Sequence, residues 1–198
     1  MSLKSMGLSN TLYFSMEFTY TKVQKKGLIN KFKKQTHPMD IDIACLLFDS
    51  EHECVEKIWY KNLRDHSEAI RHKGDDLHGH RPDKPIDNLD LKKDLEQIEL
   101  RLDKLASDIQ QIVFIVSSYT GDALAKVENG KVNLDDENAN QAMTTLFANL
   151  PNNCHTLWAA TIKKVNDDWF FEETKKPIDS FDPKSLQSVA KEMSTKLT

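Results

Sequence analysis

The chain has 198 residues, of which 39% are apolar and 29% are charged, a composition typical of a globular protein and not of a disordered one. This length predicts a single domain over residues 1–198 with a sizeable buried core. The 31 acidic and 27 basic residues give a net charge of −4. Because that balance offers no general attraction to polyanions, we expect no nucleic-acid partner.

Cysteine usage and the first residues predict a cytoplasmic location. The chain has three cysteines, Cys45, Cys54 and Cys154. Their odd number and wide spacing disfavour a disulfide framework. Residues 1–10 mix Ser, Lys, Gly and Asn and lack the continuous apolar region of a secretory signal. No apolar run approaches the roughly 20 residues that span a bilayer.

Taken in chain order, most segments of the sequence have strand patterns. They predict an all-β fold, an antiparallel β-sandwich of two sheets with a short C-terminal helix. Asn166-Asp167 predicts a hairpin turn between the last two strands. The sandwich core is expected over about residues 12–173. The predicted strands cover residues 12–23, 41–48, 54–60, 96–102, 109–119, 125–134, 144–150, 156–165 and 168–173.

Two segments are predicted as loops. The first, residues 24–37, carries five lysines with Leu28, Ile29 and Phe32 between them. Docking on an acidic partner or an anionic membrane surface is one interpretation, and a solvated loop is the other. The second, residues 71–93, is rich in Gly, His, Pro and Asp and has no apolar period.

A helix is predicted only at the end of the chain, over about residues 182–196. Asp182 can cap it and Pro183 suits its first position.

Acidic residues are grouped at three places, each near a predicted strand end. Asp40 and Asp42 flank one residue, so their side chains leave the same face of a strand. Two glycines bracket the acids of the segment Gly74-Asp75-Asp76-Leu77-His78-Gly79, so its backbone could aim oxygens at a hard cation. Asp94 and Glu96 form the third group. Solvated surface acids are the alternative for each group, and none matches an EF-hand loop.

Other site chemistries have weaker support. Zinc bound by His78 and His80 with His72 or a cysteine is an alternative, but no Cys-x-x-Cys or His-Glu-x-x-His spacing is present. The chain lacks a nucleophile-elbow motif and a glycine-rich phosphate loop, so neither nucleophilic catalysis nor nucleotide binding is indicated.

Five short motifs occur in the order found in one family. The chain resembles the tellurium-resistance TerD-type family of stress proteins from about residue 12 to residue 171. The matching segments are Met39-Asp40-Ile41-Asp42-Ile43-Ala44, Tyr60-Lys61-Asn62, the segment from His72 to Gly79, Asp94-Leu95-Glu96-Gln97-Ile98, and the strand from Ile112 to Tyr119, with Asp168-Trp169-Phe170-Phe171 near the end.

The resemblance implies a non-enzymatic, calcium-binding stress-response protein associated with tellurite resistance. It implies one or two Ca²⁺ sites, with calcium and other tellurium-resistance proteins as partners. The metal ligands it implies are Asp40, Asp42, Asp75, Asp76, Asp94 and Glu96.

The sequence departs from the family pattern near the acidic groups. Asp76 and His78 replace an Asn and a Thr, and residues 80–93 replace a glycine-rich stretch that lets the backbone wrap a cation. This loop could alter a metal site, with Asp87 or Asp90 supplying oxygens instead. Two other functions stay open: a metal-free protein-interaction module and a metal-dependent hydrolase.

Overall fold

A computed structural model of the protein describes residues 1–24, 36–74 and 96–197. In these ranges the chain forms β-strands and a single C-terminal α-helix, connected by turns and short 3-10 segments, which confirms the predicted fold class. The elements are β1 Thr11–Glu17, β2 Lys22–Gln24, β3 Thr36–Pro38, β4 Ile41–Phe48, β5 Cys54–Ile58, β6 Ile70–His72, β7 Glu96–Arg101, β8 Gln111–Ser118, β9 Lys131–Asp136, β10 Gln141–Leu146, β11 Thr156–Val165, β12 Asp168–Ile178 and α1 Gln187–Leu197.

The strands form two five-stranded sheets in which each neighbouring pair is antiparallel. The first sheet has the order β10-β9-β1-β7-β6, and the second has the order β12-β11-β8-β4-β5. β2 and β3 pair with each other as a separate hairpin. Asn166 and Asp167 join β11 to β12 with positive φ at both positions, as a tight hairpin turn of this kind requires.

The main core lies between the two sheets and is built from alternate residues of their strands. Phe14 of the first sheet and Phe114 of the second have ring centroids 4.9 Å apart, and both side chains are fully buried. On β4, the odd-numbered residues from Ile41 to Leu47 belong to this core. Strand alternation therefore assigns one face of β4 to the sandwich interior.

A second, smaller core lies on the other face of the second sheet, where α1 covers it. Ala44, Leu46 and Phe48 of β4 belong to it, together with Val189 and Met193 of α1. β4 is therefore covered on both faces, which explains why all eight of its residues are buried. No helix in the described ranges is long and apolar enough to cross a membrane.

The C-terminal helix begins at Gln187, five residues later than predicted from the sequence. Leu186 has a φ of 54°, a left-handed conformation that separates the preceding turn from α1. The Asp182 carboxylate still accepts backbone N–H groups, from Ser185, Gln187 and Ser188. Asp182 therefore caps the first amides of α1, as predicted, whereas Pro183 does not occupy the first helical position.

Several predicted boundaries are wrong in the described ranges because short strands depend on a partner more than on local pattern. Residues 70–72 form β6 against β7, although the sequence predicted a loop from residue 71. Part of the predicted lysine-rich loop belongs to β2 and β3, and residues 25–35 lie outside the described residues. The predicted strand over 125–134 begins only at Lys131, and residues 147–149 form a 3-10 turn and not the end of a strand.

The core extends beyond the expected range of residues 12–173 at both ends. Leu3 and Leu8 are buried in the main core, and β12 continues to Ile178. The N-terminal segment is held along β12, because the Leu3 amide donates to the Trp169 carbonyl at 2.9 Å.

Asp136 closes the turn between β9 and β10 and is almost completely buried. Its carboxylate accepts backbone N–H groups from Ser9, Asn138 and Asn140, at 3.0, 2.9 and 2.8 Å, and also the Asn140 amide. Burial by itself raises the pKa of Asp136, but these hydrogen bonds outweigh it and lower the pKa to about 2.

We predict that Asp136→Asn lowers the melting temperature at pH 7 and that its difference from the wild type shrinks as the pH approaches 2. A depressed pKa stabilises the fold above the unfolded value of about 3.9, and this contribution is lost as the pH falls through the folded value. Thermal unfolding followed by circular dichroism across this pH range measures the effect.

Asp135→Asn is the matched control, because burial raises the pKa of Asp135 and its charge therefore does not stabilise the fold. We expect its melting temperature at pH 7 to equal or exceed that of the wild type. Equal losses in the two variants would contradict the role given to Asp136.

Candidate metal centre

Three of the six predicted metal ligands lie in the described residues. Asp40 directly precedes β4, Asp42 is the second residue of β4, and Glu96 is the first residue of β7. Asp75, Asp76 and Asp94 lie outside the described residues, as do loop 80–93 and the histidines His78 and His80.

Asp42 lies at the polar end of the face that α1 covers. Because Ala44 and Leu46 face α1, strand alternation directs the Asp42 side chain to the same face. Asp42 is opposite Ser117 of β8, which in turn is opposite Thr156 of β11. The Ser117 and Thr156 hydroxyls lie 3.4 Å apart, so a row of oxygens crosses the sheet beside Asp42.

Among the described residues, no strand pairs with one edge of β4 over its first residues. β5 pairs with β4 only from Cys45 onward, where Cys45 is opposite Ile58. The Asp40 carbonyl accepts the Tyr119 amide on the β8 side, so the alternation of the backbone directs the Ile43 amide to the opposite side. The Ile43 N–H is therefore a buried strand donor beyond the end of β5.

Glu96 satisfies this donor from the other sheet. Its side chain is buried, and its Oε1 accepts the Ile43 N–H at 3.3 Å. The Nε2 of His72 lies 2.9 Å from the same oxygen, and the His72 side chain is also fully buried. Strands β4, β6 and β7 thus meet at one carboxylate oxygen inside the sandwich.

His72 faces Glu96 as a neutral ring. Burial lowers the pKa of His72 to about 4, and this outweighs backbone hydrogen bonds with Ile43 and Gly74 that raise it. The Gly74 amide donates to Nδ1 at 3.3 Å, which makes Nδ1 an acceptor and assigns the proton to Nε2. At neutral pH the imidazole therefore brings no charge to Glu96, and its Nε2 lies close to Oε1 without a hydrogen bond between them.

The described residues do not form a complete metal site on their own. In residues 1–24, 36–74 and 96–197, no three His, Cys, Asp or Glu side chains lie close enough together to hold a metal ion. Asp40, Asp42 and Glu96 provide carboxylate oxygens, which hard cations such as Ca²⁺ prefer. A site built on them also needs the acids of residues 75–95, and the set of six ligands stays a prediction.

A second buried carboxylate, Asp122, is absent from the sequence-based site. Its Oδ2 lies 2.9 Å from His37 Nε2, and its Oδ1 lies 3.3 Å from the Lys126 ammonium group. The Asp122 amide donates to the Ser118 hydroxyl at 3.2 Å. These contacts tie β3 to the segment after β8, so Asp122 joins elements of the fold. The turn sequence Thr120-Gly121-Asp122 at the end of β8 was the available signal.

Similarity to known proteins identifies the family. The TerD domain family matches residues 17–180. This chain belongs to the TerD domain family. The match includes the five motifs that carried the resemblance, which is thereby confirmed, whereas α1 lies outside it.

Individual relatives agree with this assignment. The chain is 26% identical over 172 residues to the tellurium resistance protein TerZ of Serratia marcescens, with 86% of this chain and 81% of that protein covered. A TerD-homologue structure, SCO6318 from Streptomyces coelicolor A3(2), superposes with a TM-score of 0.68 at 15% identity over 88% of this chain and 93% of that one. The structure of SAV2460, a protein of unknown function, superposes with a TM-score of 0.69 at 12% identity. The superposition covers 91% of this chain and 96% of that one. These two structures show the same fold.

We predict that Glu96→Ala lowers the free energy of unfolding by about 1–3 kcal/mol, because the buried Ile43 N–H loses its acceptor. Glu96→Gln keeps an oxygen at this position, so we expect a smaller loss. Urea unfolding in the presence of EDTA measures both variants without a contribution from bound cations.

Glu99→Ala is the control on the same strand, since Glu99 pairs with Lys73 and Arg101 and not with a buried strand amide. We expect a loss of roughly 0–1 kcal/mol there, as is usual for ion pairs near the surface. A Glu96→Ala variant as stable as the wild type would show that Glu96 is not the acceptor that completes β4.

Proposed function

We propose that this protein is a non-enzymatic, calcium-binding member of the TerD domain family that acts in the cytoplasm in tellurite resistance and stress response. The Ca²⁺ ligands we propose are Asp40, Asp42, Asp75, Asp76, Asp94 and Glu96, in one or two sites. The observation that carries the proposal is the buried Glu96 carboxylate, whose Oε1 accepts the amide of Ile43, the residue that follows Asp42 in β4.

The chemistry of these groups favours a hard divalent cation. All six side chains supply oxygen, whereas zinc prefers nitrogen and sulfur ligands. The His72 imidazole, which lies 2.9 Å from Glu96, is neutral and gives no compensating charge. A cation among these acids would reduce the repulsion between like charges that the sequence gathers there.

The biological role rests on family membership and on the named relative. TerZ, which aligns with 86% of this chain, is a tellurium resistance protein. We propose that this chain acts in the same resistance, with other tellurium-resistance proteins as partners. The calcium site would tie the loops at one end of the sandwich together and stabilise the folded form by mass action.

We predict that calcium raises the melting temperature of the wild type by about 5–10 °C at a concentration 100-fold above its Kd. Asp40→Asn, Asp42→Asn and Asp75→Asn should each remove most of this rise, because each takes a charged oxygen from the site. Differential scanning calorimetry with 0 to millimolar calcium measures the shift.

Asp108→Asn provides the control, because it makes the same change in net charge at an exposed position near the Phe48 end of β4, the end opposite Asp42. Its calcium response should equal that of the wild type. No shift of the wild type at millimolar calcium would overturn the proposal and favour the metal-free interaction module. Calcium-dependent cleavage of a phosphate ester would instead favour the hydrolase.

A further inference from the structure

Among the strands of the described residues, β12 is the last in the second sheet, so one of its backbone edges faces away from β11. Such an edge carries a row of N–H and C=O groups that can pair with a strand of another chain. The two halves of β12 differ along this edge. Residues 168–171 include three aromatic side chains, whereas residues 172–177 are mostly charged and exposed.

The second half of β12 is unsuited to pairing with a further strand. Between Glu173 and Lys176 its register against β11 shifts, and Lys175 has a φ of 50°, so a β-bulge interrupts the edge. Pro177 has no N–H group to donate. Bulges, lysines and prolines are features that commonly keep edge strands from pairing. This half of the edge is therefore protected by its own sequence.

The aromatic half of the edge is covered by residues 1–8, which we call the strap. The strap runs antiparallel to the start of β12. The Leu3 amide donates to the Trp169 carbonyl at 2.9 Å, and the Phe171 amide donates to the Met1 carbonyl at 2.8 Å. These bonds use the outward backbone groups of β12 at which a strand of another chain would pair.

Leu3 joins the strap to β12 in two ways. Its amide pairs with the strand, and its side chain is buried in the main core together with that of Leu8. Lys4 adds an ion pair with Asp168, the first residue of β12, but the Lys4 side chain is exposed and such a pair contributes little. A change at Leu3 is therefore the most direct way to free the edge.

From this arrangement we infer that the strap prevents β12 from pairing with β12 of a second copy of this chain. The edge is self-complementary: a two-fold axis at Phe170 places Trp169 of each copy opposite Phe171 of the other, so the outward N–H and C=O groups of both strands meet. The bulge of each copy then lies beyond the first residue of the other β12. Pairing of this kind uses the same residues on both copies and closes after two.

Three substitutions at Leu3 separate the backbone bond from the side chain. Leu3 has a φ of −58°, which proline adopts, so Leu3→Pro removes the N–H that Trp169 accepts at a compatible backbone angle. Leu3→Ala also shortens the side chain but keeps the N–H. Leu3→Asp places a charge in a buried position and displaces the strap by a second route.

The experiment measures the mass of the full chain by sedimentation velocity in EDTA, over an about 100-fold range of protein concentration. We expect the wild type and Leu3→Ala to keep one mass, and Leu3→Pro and Leu3→Asp to approach twice that mass as the concentration rises. In dilute Leu3→Pro the Phe171 amide should exchange its hydrogen at least about tenfold faster than in the wild type. At high concentration its protection should return, because the second copy replaces the strap.

A lysine on the edge tests where the two copies meet. Phe170→Lys, combined with Leu3→Pro, places two like charges opposite each other at the two-fold axis and should restore the wild-type mass. Val55→Lys makes the same change at an exposed apolar residue of β5, the strand at the other end of the sheet. Combined with Leu3→Pro, it should leave the association intact.

Several outcomes would overturn the inference. Neither Leu3→Pro nor Leu3→Asp increasing in mass would show that the strap does not control pairing. Assemblies that persist with Phe170→Lys would show association through the uncovered core and not through β12. A wild type that associates until Phe170→Lys is introduced would show that the strap leaves the edge open. If Leu3→Asp does not fold, the comparison of Leu3→Pro with Leu3→Ala still decides.

Discussion

The first half of one β4 edge, along which no strand of the described residues pairs, is the constraint on which the centre of this molecule depends. β4 is covered by the main core on one face and by α1 on the other, so water cannot satisfy its backbone. β5 begins to pair only at Cys45, and the buried Ile43 amide needs another acceptor. Glu96 provides it from the opposite sheet, and the buried His72 ring lies beside Glu96. A backbone requirement thus brings a carboxylate into the interior beside the predicted cation ligands.

The buried carboxylates of the described residues differ in how their charge is balanced. Asp136 accepts several backbone amides, which hold its pKa low. Asp122 contacts a lysine and a histidine. Glu96 accepts the Ile43 amide and lies against the neutral His72 ring. The contacts of Asp136 and Asp122 suit structural roles.

The helix α1 lies outside the residues that match the family, and it covers the second core on the second sheet. Family similarity ends at residue 180, and α1 begins at Gln187. The Tyr60 hydroxyl donates to the Pro183 carbonyl at 3.3 Å, and Lys57 of β5 donates to the Gln187 side chain at 3.0 Å, so this end of the chain is tied to the region of β5.

The sequence by itself determined the class of fold and the long strands, because period-two patterns and continuous apolar runs such as Ile41–Phe48 depend only on local order. It also located Asp40, Asp42 and Glu96 as candidates, since their motifs are contiguous. Tertiary structure alone decided that residues 70–72 form a strand and that α1 starts at Gln187, because strand partners and packing against a sheet are distant in sequence. It alone placed His72 against Glu96: the two residues are 24 positions apart, and only pairing of β6 with β7, beside the first residues of β4, brings their side chains together.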